Sequence, residues 1–195
     1  MVFQELKKLA PRLFFSVEDL ASDLEMRLAS AKVLCSRYVK NGLFVRLKKN
    51  FYILDETWKG LSKEQLLKVS NLLQVPSYVS LMTALSWHEV TTQVQRSFFE
   101  SISFKRTARF DVKGTTFVYY KLKKELYFDF VKKDNIFIAT KEKAFFDAMY
   151  LFSFGKYKLD VDSLDMGKLD INRIEKIARV FPKKTKDIIT KICKI

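Results

Sequence analysis

Residues 16–54 have the sequence SVEDLASDLEMRLASAKVLCSRYVKNGLFVRLKKNFYIL, and this stretch decides the fold of the N-terminal part of the chain. Ser16 is a favourable helix N-cap with Asp19 as its reciprocal partner, and the apolar residues that follow recur at helical spacing. A short connection, Glu25-Met26-Arg27, leads to a second helix expected over Leu28–Asn41. The stretch therefore predicts two helices that cross at a tight connection.

A basic hairpin is expected after the second helix. Gly42 ends the helix, since glycine tolerates the left-handed conformation of a C-terminal cap. Residues 43–48 alternate in the manner of a strand, Lys49-Asn50 forms the hairpin tip, and Phe51–Leu54 is the returning strand. Two helices followed by such a hairpin are typical of a winged helix-turn-helix, a DNA-binding domain.

The charge distribution on this stretch favours DNA binding. Seven basic residues and no acidic residue lie from Arg27 to Asn50. On a helical wheel, one face of the second helix is apolar and the opposite face is polar. We expect the helix to contact bases or phosphates in the major groove and the hairpin to contact the DNA backbone. The candidate contact residues are Arg27, Ser30, Lys32, Ser36, Arg37, Lys40, Arg46, Lys48, Lys49 and Asn50. The alternative is an ordinary solvated face on a small helical hairpin.

The composition is that of a globular chain with polyanionic partners. The 195 residues are 48% hydrophobic and 30% charged, which excludes a disordered chain and allows one large or two small domains. A formal net charge of +14 favours DNA, RNA or an anionic surface.

The sequence has no apolar run long enough to span a membrane. The N-terminal 15 residues have the pattern of an amphipathic helix and lack the features of a signal peptide. The two cysteines, Cys35 and Cys193, do not suggest a disulfide scaffold, so the expected location is the cytoplasm.

Two domains are expected, both of α+β character. Residues 1–55 form the winged helix-turn-helix, residues 55–60 a linker, and residues 62–195 a mixed α/β domain whose antiparallel sheet is flanked by helices. In the second domain, helices are expected over 62–73 and 78–89, strands within 94–138, a helix capped by Thr140, and a basic helical tail interrupted at Pro182.

Four segments of the second domain carry a family resemblance. They are VPSYVSL at 75–81, ALSWH at 84–88, KRTARF at 105–110 and IATKEKAFFD at 138–147. In this order, and together with the N-terminal stretch, they resemble the AbiEi family of abortive-infection antitoxins and transcriptional regulators. Trp87 departs from the tyrosine common in that family and keeps the aromatic character.

The resemblance implies a function. The protein would be a cytoplasmic antitoxin that represses its own operon by binding double-stranded DNA at repeated operator sites in its own promoter. Its functional partner would be a nucleotidyltransferase-like toxin, with no stable complex expected, and the chain itself would be neither an enzyme nor a cofactor-binding protein. Three alternatives remain: an RNA-binding or nucleotide-processing protein that uses the basic β-rich domain, an antitoxin that sequesters its toxin, and a winged-helix regulator unrelated to a toxin.

A second basic cluster lies in the β-rich block. It consists of Lys105, Arg106, Arg109, Lys113, Lys121, Lys123 and Lys124. Aromatic residues interleave with it, as they do in surfaces that bind single-stranded nucleic acid. The other interpretation is a sheet with its aromatic residues in the core and its lysines in water.

The sequence predicts no metal or catalytic site. His88 is the only histidine, and a structural role is expected for it because no second histidine or cysteine pair is available to bind zinc. The aspartates of residues 160–165 lack the glycine and glutamate of a calcium loop and are expected to form a solvated turn. Five scattered glycines cannot form a phosphate-binding loop, and no nucleophile-elbow sequence is present.

Overall fold

A computed structural model describes residues 9–93 and 95–193, and the side chain of Cys193 is outside the description. The described residues combine helices and sheets, which confirms the expected α+β class. The chain divides between Val69 and Ser70 into two compact units. Most of the amphipathic segment expected at the N-terminus lies outside the described residues.

The described part of the N-terminal unit contains three complete helices, the start of a fourth and a small sheet. The two helices and the hairpin expected from the sequence follow one another in that order, while most of the expected linker at residues 55–60 forms a further helix. The elements of the unit are β1 (Phe15–Ser16), α1 (Val17–Asp23), α2 (Leu28–Lys40), β2 (Phe44–Lys48), β3 (Phe51–Leu54), α3 (Asp55–Lys59) and the start of α4 (Lys63–Leu73). Within the described part of the unit, the three strands form an antiparallel sheet in the order β1-β3-β2. The Ser16–Asp19 capping box and the left-handed Gly42 (φ 72°) are both present as expected.

An aromatic core fixes the two helices against this sheet. Phe15 from β1, Tyr38 from α2 and Phe44 from β2 are all buried, and the Phe44 ring lies 5.0 Å from that of Phe15 and 5.1 Å from that of Tyr38. Such edge-to-face pairs contribute about 0.5–1.5 kcal/mol beyond their buried area. Cys35, which the helical wheel places on the apolar face of α2, is completely buried in the same core. The opposite face of α2 is thereby directed outward.

The second unit contains a mixed sheet, so the expectation of an antiparallel sheet was wrong. Its elements after α4 are β4 (Tyr78–Val79), α5 (Leu81–Trp87), β5 (Phe98–Ser103), β6 (Ala108–Val112), β7 (Thr115–Lys121), β8 (Phe130–Lys133), β9 (Ile136–Ala139), α6 (Lys141–Ser153), α7 (Ile171–Ala178) and α8 (Lys183–Cys193). In the described residues the sheet order is β6-β7-β5-β4-β9-β8. The β6–β7 hairpin places its second strand beside β5, which makes β5 and β7 parallel; β4 and β9 are also parallel.

Two local expectations in this unit were also wrong. The helix expected from Tyr78 begins only at Leu81, because Tyr78 and Val79 pair with β5 and β9 at the centre of the sheet. The aromatic-rich pattern of residues 127–131 predicts a strand from Tyr127. The strand begins instead at Phe130, since the chain before it forms a 3₁₀ turn and Asp129 has a positive φ of 54°. In both places tertiary pairing and backbone geometry override the local pattern.

Candidate nucleic-acid interface

The outward face of α2 is polar, basic and accessible. Eight of the expected contact residues lie on α2, at its N-cap or on the adjoining strand β2. Lys48 is half-buried, and the other seven are exposed: Arg27, Ser30, Lys32, Ser36, Arg37, Lys40 and Arg46. The buried residues of α2 are Ala31, Cys35 and Tyr38, which alternate with these at the helical period. Within the described residues, none of the five cations in this set forms an ion pair. The helix therefore presents unneutralised positive charge to solvent.

The β2–β3 hairpin adds further positive charge but has its own internal contacts. Lys49 is exposed at the tip, while the Lys48 ammonium lies 4.9 Å from the centre of the Phe51 ring. Burial of part of the Lys48 side chain lowers its pKa. Asn50 has a left-handed backbone (φ 68°), as expected for a hairpin tip. Lys48 and Asn50 thus contribute to the shape of the hairpin as well as to its surface.

The acidic residues of α1 accept hydrogen bonds from side chains outside the helix. Arg12 donates hydrogen bonds to Asp19 (2.8 Å) and Asp23 (3.1 Å). Asn50 donates a 2.6 Å hydrogen bond to Glu18, which lowers the pKa of the Glu18 carboxyl together with a weaker attraction to Lys32. These contacts hold the carboxylates of α1 in fixed positions beside the basic face.

The second basic cluster is divided by the topology of its sheet. Strands β5 and β7 are parallel and end side by side, with Ser103 opposite Lys121. The exposed cations next to these strand ends are Lys105, Arg106, Lys121, Lys123 and Lys124. Lys113 lies instead in the β6–β7 turn at the other end of the sheet, and Arg109 is paired with Asp111 at 3.0 Å. Five of the seven predicted residues are therefore brought together and two are not.

Of the five aromatic residues that interleave with this cluster, Phe117 and Tyr119 belong to the core, and Phe104, Phe110 and Tyr120 are half-buried. Phe117 and Tyr119 are completely buried, and Phe110 packs edge-on against Tyr119. Tyr119 also donates a short hydrogen bond of 2.5 Å to the carbonyl of Ser70. The rings of Phe117 and Tyr119 are not available to stack on nucleic-acid bases, which favours the interpretation that these two are core residues of the sheet.

A buried polar network, which the sequence did not reveal, joins segments far apart in the chain. The carboxylate of Asp147 on α6 accepts hydrogen bonds from Tyr78 (2.9 Å), Ser80 (2.7 Å) and the ammonium of Lys143. Lys143 also donates to the Tyr78 hydroxyl at 2.8 Å and lies 5.2 Å from the centre of the Phe128 ring. Burial lowers the pKa of Lys143 and raises that of Asp147, and their mutual attraction opposes both shifts. With both side chains completely buried, the network is inaccessible to a substrate.

A cleft of about 460 Å³ lies on the sheet of the second unit. Glu100 forms part of its base and is only 1% exposed. The Tyr157 hydroxyl donates a 3.0 Å hydrogen bond to its carboxylate. Burial raises the pKa of Glu100 to about 7, against the opposing effects of Tyr157 and the backbone amides of Met82 and Thr83. This titratable group also lacked any sequence signal, because its burial depends on strand pairing.

The remaining expectations concern single residues and absences. The His88 ring donates a 2.8 Å hydrogen bond to the carbonyl of Ala139, which is a structural contact. Over residues 9–93 and 95–193, no group of three or more potential ligands is placed to hold a metal ion. In the same ranges, no helix has the length and apolar character needed to cross a membrane.

Comparisons with known proteins add no assignment. No protein-family model matches this chain, and neither a curated protein nor a solved structure is significantly similar to it. Function is therefore inferred from the residues and their geometry.

Proposed function

We propose that the N-terminal unit is a winged helix-turn-helix that binds double-stranded DNA. Helix α2 enters the major groove, and the β2–β3 hairpin is the wing that lies on the phosphate backbone. The observation that carries the proposal is the outward face of α2, where exposed cations and serines stand opposite a buried aromatic core.

The dimensions and the charge of this surface suit a DNA duplex. A helix of 13 residues is about 20 Å long, and the major groove is about 12 Å wide and accepts one helix side-on. Lysine and arginine contacts to phosphate supply affinity, whereas side chains at the groove floor supply sequence preference. Arg37, near the middle of the exposed face, is a candidate base contact.

We further propose that the protein is a cytoplasmic AbiEi-type antitoxin that represses its own promoter and is not itself an enzyme. The resemblance of the four motif segments supports this role. Two of these segments contact one another through Tyr78 and Ser80 on one side and Lys143 and Asp147 on the other. The expected partners are repeated operator sites and a nucleotidyltransferase-like toxin that does not form a stable complex.

A titration with promoter DNA tests the DNA-binding proposal. The full chain is titrated by fluorescence anisotropy against its own promoter duplex and a scrambled duplex of equal composition. The promoter is expected to bind more tightly, and Arg37→Ala is expected to reduce that preference. Arg179→Ala removes an exposed arginine of the second unit and serves as the matched control. Equal affinity for both duplexes, unchanged in both variants, would contradict the assignment.

Toxin neutralisation is tested separately. The full chain and an Arg37→Ala variant are co-expressed with the toxin candidate encoded beside the gene. Rescue of growth by both proteins, with promoter repression lost only in the variant, is the expected result. Stable co-purification of the two proteins would favour sequestration instead, and an unrelated neighbouring gene would leave a regulator without a toxin.

RNA binding by the second unit is a second candidate function. The five exposed cations at or after the neighbouring ends of the parallel strands β5 and β7 favour it. A single-stranded RNA oligonucleotide that binds the full chain but not a Lys123→Ala, Lys124→Ala variant would support it. Retention of RNA binding in that variant would exclude this surface.

A further inference from the structure

Val33 is an apolar residue at the centre of the polar face of α2. Its side chain is 69% exposed, the largest exposed fraction among the large apolar residues that the structure describes. At 100° per residue, Val33 lies within about 40° of Ala29, Arg37 and Lys40 and about 140° from the buried Tyr38. It is therefore flanked along the helix by small or cationic residues and faces away from the core.

Neither the fold nor the helix benefits from a valine at this place. Burying a valine side chain contributes about 1.5–3 kcal/mol to stability, a gain that this exposed position forgoes. A β-branched residue is also a weaker helix former than alanine, lysine or glutamate. The side chain does offer two methyl groups whose positions are nearly fixed, because valine has one strongly preferred rotamer in a helix.

A matching apolar group exists in the major groove. Thymine presents its C5-methyl group there, and no other standard DNA base carries a methyl group at the groove floor. Small apolar side chains on a helix in the groove contact this methyl group and distinguish thymine from cytosine. The adjacent Lys40 would hold the helix to the duplex by a phosphate contact while Val33 contacts a base edge.

We propose that Val33 is a specificity-determining residue that contacts a thymine methyl group, so that the preferred operator carries an A·T pair facing the middle of α2. This inference rests on the proposed DNA-binding function. It assigns base contact to an apolar residue in addition to the cations and serines of the same face.

Removal of single methyl groups from the DNA tests the contact. Preferred duplexes are first selected from a random library with the full chain. Each thymine of the selected site is then replaced by deoxyuracil, which removes the C5-methyl group and keeps the hydrogen-bonding edge. At one position the wild-type protein is expected to lose about fourfold in affinity, the effect of one methyl group leaving an apolar contact.

Protein variants connect that methyl group to Val33. Val33→Ala is expected to bind the thymine and deoxyuracil duplexes equally, while Val33→Thr, which keeps one methyl group, retains part of the difference. Lys32→Ala is the control on the same helix, and it is expected to weaken both duplexes alike. Circular dichroism verifies that each variant is folded.

The possible outcomes are distinct. The inference would be overturned if replacing thymine by deoxyuracil reduced the affinity of Val33→Ala as much as that of the wild type. A selected site without thymine at its core would also overturn it. A change in the oligomeric state of Val33→Ala, measured by sedimentation, would show that Val33 is a contact between copies and would also overturn it. Failure to select any duplex at low salt would contradict the DNA-binding function itself.

Discussion

The side-chain amide of Asn50 donates a 2.6 Å hydrogen bond to the carboxylate of Glu18, and this bond joins the hairpin tip to α1. The two residues are separated by 32 positions in sequence. A residue at the hairpin tip that we expected to contact DNA therefore already uses a donor inside the protein. Its main effect on DNA binding would be to position the exposed Lys49 beside it.

Asn50→Gly is expected to release this connection without straining the hairpin. Glycine adopts the left-handed backbone conformation of position 50 readily, whereas Asn50→Ala would add strain. Because the hydrogen bond from Asn50 is the largest cause of the lowered Glu18 pKa, that pKa is expected to rise in the variant. Carboxyl titration by NMR measures it. An unchanged Glu18 pKa in Asn50→Gly would show that the bond is not maintained in solution.

Arg46→Ala combined with Lys49→Ala is expected to weaken binding to all DNA sequences alike. Both side chains are exposed on the hairpin, whereas Lys48 packs on Phe51, so the first two are better probes of phosphate contact. Loss of two phosphate contacts should reduce the slope of log K against log salt by about 2. Lys132→Ala with Lys133→Ala removes the same charge from strand β8 and should leave the slope unchanged. A slope that falls equally in both double variants would assign the effect to net charge alone.

Glu100→Gln is expected to flatten the dependence of stability on pH. The pKa of Glu100 is about 7 in the folded protein against a usual value of 4.5, so the folded state binds the proton more tightly than the unfolded state. Its ionisation therefore destabilises the wild type as pH rises from about 4.5 to 7. The variant should melt at the same temperature as the wild type at pH 4 and at a higher temperature at pH 8. A variant destabilised equally at both pH values would indicate that Glu100 stabilises the fold through its hydrogen bonds and that its buried charge does not destabilise the wild type.

Replacement of either member of the Lys143–Asp147 pair is expected to destabilise the second unit strongly. Removing one partner leaves the other buried without a counter-charge, at a cost of about 3–5 kcal/mol. Lys143→Met with Asp147→Leu should cost less than the sum of the single changes, since no uncompensated charge remains.

Urea unfolding followed by tryptophan fluorescence measures these changes. In a Trp58→Phe background, Trp87 is the remaining tryptophan and reports on the second unit alone. Lys141→Met, at a more exposed position of the same helix, is the matched control. Additive costs in the double variant would contradict a coupled pair.

Features that depend on neighbouring residues could be predicted from the sequence. The Ser16–Asp19 capping box and the Thr140 cap both formed as expected, because each involves groups within a few residues. The face of α2 that is exposed to solvent could also be predicted from the sequence, since the helical period places Tyr38 and Arg37 on different faces.

Features that depend on distant pairing could not be predicted. The pattern of Tyr78 and Val79 suits the start of a helix, and only their pairing with β5 and β9 makes them a strand. The burial of Lys143 and the link between Asn50 and Glu18 arise from contacts between residues tens of positions apart. In the candidate site, the sequence therefore indicated which side chains lie at the surface, but not which of them already contact other residues of the protein.

The position of β4 has a consequence for synthesis on the ribosome. This two-residue strand lies between β5 and β9, and its second neighbour is made about 60 residues later. Until Ile138 has left the exit tunnel, one edge of β4 has no partner, and until Asp147 follows, Tyr78 and Ser80 lack their acceptor. Long-range pairing of this kind folds slowly and exposes strand edges to other chains. The nascent second unit is therefore most prone to aggregation while β5, β6 and β7 are complete and β9 is still unmade.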